Sequence, residues 1–283
     1  MSNENKTRIV LFISQKGGAG KTVNIVNLAT VSYYEGTKGI AILDCDTQKS
    51  ALKWSDTFRT DKLRKIEAFF PMVVGPSNDG SIQDTIDYLA EYSNEIWVDT
   101  AGYIGDDATN AKRILEEVIP LADLIVIPCK ASRSDVCSTV DTIRFVEDIL
   151  SVNGKSDTPR CILGSDIRGN DKGYGYFLKL FSSDEQFKEY SAQWKMIKSY
   201  IPSAAQFVRN VDIGGTAFFP TRVKSVITAS IGAYQEMMAL LGIKNRNQSE
   251  AEIIEGLANL GKVRKKAMQE TIEMHEDQED QSE

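Results

Sequence analysis

Short unbroken apolar runs recur along the chain at residues 9–13, 39–43, 96–98, 124–128 and 161–163, separated by longer segments in which polar residues interleave. A strand covered on both faces needs apolar side chains at every position, so such runs suit a parallel sheet packed between helices. The intervening segments carry helical spacing. Residues 23–29 follow the first run, and residues 81–92 place Ile82, Ile86, Leu89 and Ala90 on one face with Ser81 positioned as a cap. Further helices are predicted around residues 51–54 and over 108–118, 136–150 and 176–190. A short strand is predicted near 68–70 and a last core strand over 196–202. Residues 75–80 and 153–159 read as loops, and the Gly/aromatic stretch 169–176 reads as a surface loop, the alternative being a contact with DNA or a partner. The alternation predicts an α/β fold: a doubly wound, mostly parallel sheet with helices on both faces and ligand at the carboxyl ends of the strands.

Candidate chemistry lies where the runs end. Between the first strand and its helix stands Ser14-Gln15-Lys16-Gly17-Gly18-Ala19-Gly20-Lys21-Thr22. Three glycines let the backbone approach a polyphosphate, and the helix start offers unpaired N–H groups to its charge. Lys21 is placed to reach β and γ phosphates, and Thr22 to ligate Mg²⁺. The second run ends in Asp44-Cys45-Asp46-Thr47-Gln48, and both carboxylates are site candidates there, the alternative being a strand end and a helix cap. The run before Asp99-Thr100-Ala101-Gly102 ends in a carboxylate suited to hold Mg²⁺ through water.

The loop departs from G-x-x-x-x-G-K-[ST], with Gln15 at the first glycine, and matches K-G-G-x-G-K-[ST] with an additional lysine, Lys16. In this it resembles the ParA/MinD family of deviant Walker A ATPases, and among them the ParA-like partition ATPases. The resemblance implies a P-loop NTPase fold, ATP and Mg²⁺ as cofactors, and an ATP sandwich homodimer in which Lys16 crosses to the partner's phosphates. It implies nucleotide binding by Lys16, Gly17, Gly18, Ala19, Gly20, Lys21, Thr22 and Val23, catalysis by Lys16, Lys21 and Asp46, and metal binding by Thr22, Asp46 and Asp99. Asp46 takes the place of the second Asp of the family's D-x-D-P-Q segment, which positions the attacking water; Thr47 replaces the proline. Residues 128–135 resemble P-x-x-P-S-x-x-D with Lys130-Ala131 substituted, and there Arg133 and Asp135 suit a dimer interface or a solvated loop. Residues 164–168, where family members contact the base, match poorly, and residues 214–218 resemble the G-x-T-x-F turn before the family's C-terminal helix.

Charge adds one feature. The net charge of −7 resides in residues 269–283, which carry seven carboxylates and no Lys or Arg, so the rest of the chain is neutral. Within 201–268, nine basic residues outnumber five acidic ones. We therefore expect three parts: an ATPase domain over 1–242, a helical extension over 243–268 and an acidic disordered tail over 269–283. The basic part is compatible with nucleic acid. Four cysteines without a C-x-x-C pair and a single His275 give no zinc set, and reduced buried thiols are expected. No apolar run reaches the roughly 18 residues that span a bilayer, and residues 1–6 lack a signal-peptide core. The acidic end is unlike a basic membrane-anchoring helix. A cytoplasmic protein without membrane contact is expected, associated with the nucleoid when bound to DNA. The resemblance implies non-specific DNA binding by the ATP-bound dimer, a ParB-like or other stimulating partner, and positioning of a plasmid, chromosome or other cargo. The alternatives are a positioning ATPase acting on a protein scaffold without DNA and an ATP-dependent enzyme on the same core.

Overall fold

The computed structural model describes residues 6–58, 71–77, 80–102, 109–205, 215–217 and 223–243, with 209 and 255 as single positions. Seven strands, β1 (Arg8–Phe12), β2 (Ile40–Cys45), β3 (Met72–Val74), β4 (Glu95–Thr100), β5 (Leu124–Cys129), β6 (Arg160–Gly164) and β7 (Trp194–Met196), form one sheet in the order β3-β2-β4-β1-β5-β6-β7. Every pairing is parallel. The helices are α1 (Lys21–Tyr34), α2 (Ser50–Phe58), α3 (Ile82–Ala90), α4 (Thr109–Val118), α5 (Arg133–Val152), α6 (Asn170–Ser182), α7 (Glu185–Tyr190) and α8 (Lys224–Leu240).

Alternate strand residues feed two cores. Val10, Phe12, Ile42, Trp97 and Val126 pack with α1, α2 and α8 on one face. Leu11, Leu43, Ile96, Val98 and Ile127 pack with α3, α4, α5, α6 and α7 on the other. Each fully buried Ile, Leu or Phe contributes about 1.5–3 kcal/mol, which is why both faces of these strands are apolar. The predicted cap is present: Ser81 and Asp84 form a reciprocal capping box on α3. At the amino end of the sheet the buried Glu95 pairs with Arg8 and accepts hydrogen bonds from Ser32 of α1 and Tyr234 of α8, tying both helices to β4.

The structure corrects several expectations. Residues 169–176 are not a loop, because α6 begins at Asn170 after Gly169 in the left-handed region (φ 82°). A Cβ at Gly173 would collide with the Arg168 carbonyl, so that glycine admits the first turn, while Phe177 and Phe181 seal the helix onto the sheet. The single helix expected over 176–190 is two, divided where Asp184 accepts from the Gln186 and Phe187 N–H groups and starts α7. The last strand ends at Met196, short of 202. The N–H groups of Lys198 and Ser199 donate to the Glu236 carboxylate of α8 instead of continuing a ladder. Cys45, Cys129 and Cys161 are buried free thiols, whereas Cys137 is exposed. The strand expected near 68–70 and the tail over 269–283 lie outside the described residues, as does nearly all of the extension over 243–268. Among the described residues no helix is long and apolar enough to cross a membrane.

Candidate nucleotide site

Strand register assembles the site. Phe12 pairs with Asp99 and Asp44 pairs with Asp99, so the loop leaving β1 emerges beside two strand-terminal carboxylates. The loop turns through Gly18 (φ 72°) and Gly20 (φ 93°), conformations that side chains resist. Gly102, after β4, presses on it: a Cβ there would stand 2.8 Å from the Gly17 nitrogen. The α1 N-terminus then points its free N–H groups into a cleft of about 580 Å³.

Within this cleft Lys21 is 7% exposed, and burial pulls its pKa down against the opposing charges of Asp99 and Asp46. The Thr22 hydroxyl donates to Asp99 Oδ2 at 2.5 Å. Asp99 is fully buried, and burial pushes its carboxyl up to about 7, with Thr22 acting in the other direction. Its second oxygen, Oδ1, is buried without a hydrogen-bond partner. A hydroxyl and a buried carboxylate with one unspent oxygen fit a hard divalent cation. Among the described residues no cluster of three His, Cys, Asp or Glu could cage a metal alone.

The two aspartates at the carboxyl end of β2 are placed differently. Asp44 is 2% exposed and does not line the cleft, accepting from Leu52 N (2.9 Å) in α2 and from Asp46 N (3.1 Å). It is the helix cap of the two readings. Asp46 lines the cleft, and its Oδ1 accepts from Gln48 N at 2.9 Å in a local turn that holds the loop without the missing proline. Arg133 and Asp135 fall not in a loop but in the first turn of α5, capped by Ser132. Lys16, unlike the residues from Gly17 to Val23, does not line the cleft; its ammonium contacts Asp135 at 2.6 Å and Ser134 at 3.4 Å.

Two walls go beyond what sequence reasoning singles out, although it names residues 164–168 as the family's base-contact segment. One is α2, whose Ser50, Lys53, Trp54 and Thr57 face the cleft; their i, i+3, i+4, i+7 spacing was the available signal. The other joins Ser165 and Asp166 after β6 to Ile201, Pro202 and Ala204, with Lys130 bonded to Asp166 at 3.2 Å.

A parallel sheet with a glycine loop between β1 and α1, a buried lysine at the helix start and a strand-terminal carboxylate on the neighbouring threonine defines a phosphate-loop nucleotide-binding protein. More narrowly, the model of the CobQ/CobB/MinD/ParA nucleotide binding domain matches residues 10–281, and the chain belongs to that family. The protein ParA of Rhizobium radiobacter is 26% identical over 141 residues, a match covering 50% of this chain and 56% of that protein, so the chain aligns with little more than half of it. The fold is similar to an ATP complex of a Cyanothece McdA variant (TM-score 0.58, 15% identity, 86% of this chain and 100% of that one). It is also similar to the cell-division protein MinD of Aquifex aeolicus (TM-score 0.57, 16% identity, 82% and 98%).

Proposed function

We propose that the protein is a Mg²⁺-dependent ATPase of the ParA type that dimerises around two ATP molecules. Bound to ATP, it holds DNA without sequence preference and positions a plasmid, chromosome or other cargo with a stimulating partner such as a ParB-like protein. The observation that carries this reading is the pair of lysines in one loop. Lys21 is buried in the cleft beside Thr22 and Asp99, while Lys16 points outward from the same loop toward α5. Two cations of one loop, one buried in the cleft and one held outside it on α5, suit one phosphate tail within the chain and another across an interface.

In this mechanism Lys21 and the loop N–H groups hold the β and γ phosphates, with Thr22 and Asp99 placed to hold Mg²⁺. When bound, the metal neutralises charge on the transferring phosphoryl group. Asp46 orients the attacking water, and Lys16 of the second chain completes the charge balance. The ATPase domain spans 1–242, and the DNA contacts fall among Arg209, Arg222, Lys224 and Lys262, Arg264, Lys265 and Lys266.

Sedimentation of the full chain with ATP or ADP, followed by titration with unrelated DNA fragments at several salt concentrations, tests the proposal. An ATP-dependent dimer that binds all fragments is expected. If about four phosphates are neutralised, log affinity falls with log salt at a slope of about −3.6. A protein that stays monomeric with ATP, or binds DNA equally with ADP, refutes it.

A further inference from the structure

The nucleotide cleft has two chemically different ends. It runs across the carboxyl ends of the strands from α2, which follows β2, past the phosphate loop on β1, to the wall after β6. Four strand spacings separate β2 from β6, about 19 Å at the usual separation, which accommodates a nucleotide laid lengthwise. At the β6 end, Ile201, Pro202 and Ala204 face Ser165 and Asp166, an apolar slot with polar edges that suits a planar base. At the β2 end stand Asp46 and Lys53, which suit charge.

Lys53 stands out among the lysines of this region. Lys21 sits in the field of Asp99 and Asp46, Lys130 is bonded to Asp166, and Lys16 is bonded to Asp135. Lys53, an exposed residue of α2, is among the residues that line the cleft, and its ammonium has no acceptor among the described residues. Its helix is fixed at two points. Asp44 accepts from Leu52 N at 2.9 Å, and the Trp54 indole donates to the Gly215 carbonyl at 2.9 Å from a side chain that is 3% exposed. The lysine therefore rises from a rigid support between two anchored neighbours.

We propose that Lys53 is a further phosphate-binding residue, whose ammonium contacts the terminal phosphate of the bound nucleoside triphosphate from the α2 side. The proposal rests on the phosphate-loop reading and deepens it. An unpaired cation at the end of the cleft opposite the base slot, on the helix that leads away from Asp46, finds a partner only when a third phosphate is present. Lys53 thus favours triphosphate over diphosphate within a single chain.

The test is equilibrium binding of fluorescent ATP and ADP with Mg²⁺ to the full chain, in a Lys16→Ala background that removes the lysine proposed to cross the interface. Lys53→Ala is expected to weaken ATP binding about tenfold, the usual scale of one charge-assisted contact, and to leave ADP binding within about twofold. Lys53→Arg, which keeps the charge, should restore most of the loss. Equal weakening of ATP and ADP, or no weakening of either, overturns the proposal. Lys21→Ala separates the two readings: if it abolishes binding while Lys53→Ala is silent, only the role of Lys53 fails. If Lys21→Ala binds normally, the phosphate-loop reading itself fails.

Discussion

Removing the carboxylate that holds Lys16 should tighten the ATP-dependent dimer. Lys16 and Asp135 meet at 2.6 Å, with the lysine side chain 43% exposed and the carboxylate 12% exposed. A lysine that reaches a partner's phosphates must leave this contact, so each protomer loses one ion pair on dimerisation. Exposed pairs are worth about 0.2–1 kcal/mol. Two such pairs make about 0.4–2 kcal/mol per dimer, or roughly 2- to 30-fold in the dissociation constant. The poorly exposed carboxylate and the second contact to Ser134 place the expectation in the upper half of that range.

The substitution is Asp135→Asn, which keeps the side-chain shape at the first turn of α5, where Ser132 caps the helix. Losing a charge near the helix start costs about 0.3–1 kcal/mol of stability, a change that thermal melting registers separately. Sedimentation velocity with Mg²⁺ and ATP should show dimers at lower protein concentration than in the parent chain. The gain should shrink at 1 M salt, where the Debye length is about 3 Å. In a Lys16→Ala background the same substitution should have no effect on assembly. If Asp135→Asn weakens the dimer instead, the carboxylate works across the interface, and the cost assigned to releasing Lys16 is wrong.

Three other outcomes follow from the site. Lys21→Ala should abolish detectable turnover and weaken ATP binding, measured by fluorescent-nucleotide titration, because it removes the buried cation of the cleft. Asp46→Ala should bind ATP and accumulate as a dimer with hydrolysis lost, seen by gel filtration and phosphate release; turnover at the parent rate would shift water positioning away from this residue. Asp99 should make the nucleotide-free protein less stable as pH rises. Its carboxyl lies near 7 when folded against 3.8 unfolded, so the folded state binds the extra proton between those values and the contribution is lost as pH passes through 7. About three units correspond to about 4 kcal/mol at most. Asp99→Asn should flatten this part of the melting profile from pH 4 to pH 8 while removing Mg²⁺-dependent turnover.

What the sequence disclosed and what it withheld divide by distance along the chain. The strands were legible because burial on two faces writes itself as consecutive apolar residues, as at Leu124–Cys129. The phosphate loop was legible because nine adjacent residues carry it, and the 3.6 period over residues 81–92 identified α3 with its cap. By contrast, α6 was hidden by glycines that lower helix propensity locally and are outweighed by the Phe177 and Phe181 contacts. The early end of β7 is set by Glu236, whose carboxylate arrives from a helix 38 residues further on to take the Lys198 N–H.

The same rule governs the site. Thr22 and Asp99 could be paired from motifs because strand order is implied by the fold, and the structure places them in contact across 77 residues. Lys16 and Asp135, 119 residues apart, could not be paired. Nothing local to either residue specifies that the start of α5 lies beside the phosphate loop. That adjacency comes from β5 pairing with β1, which sets α5 close enough for Thr142 to accept from Gln15 N at 3.2 Å. The position of Lys16 in the single chain is therefore a property of sheet order. A substitution in α5 can change the availability of the lysine without touching the loop, which is the physical basis for expecting Asp135→Asn to act on assembly and to leave the nucleotide cleft intact.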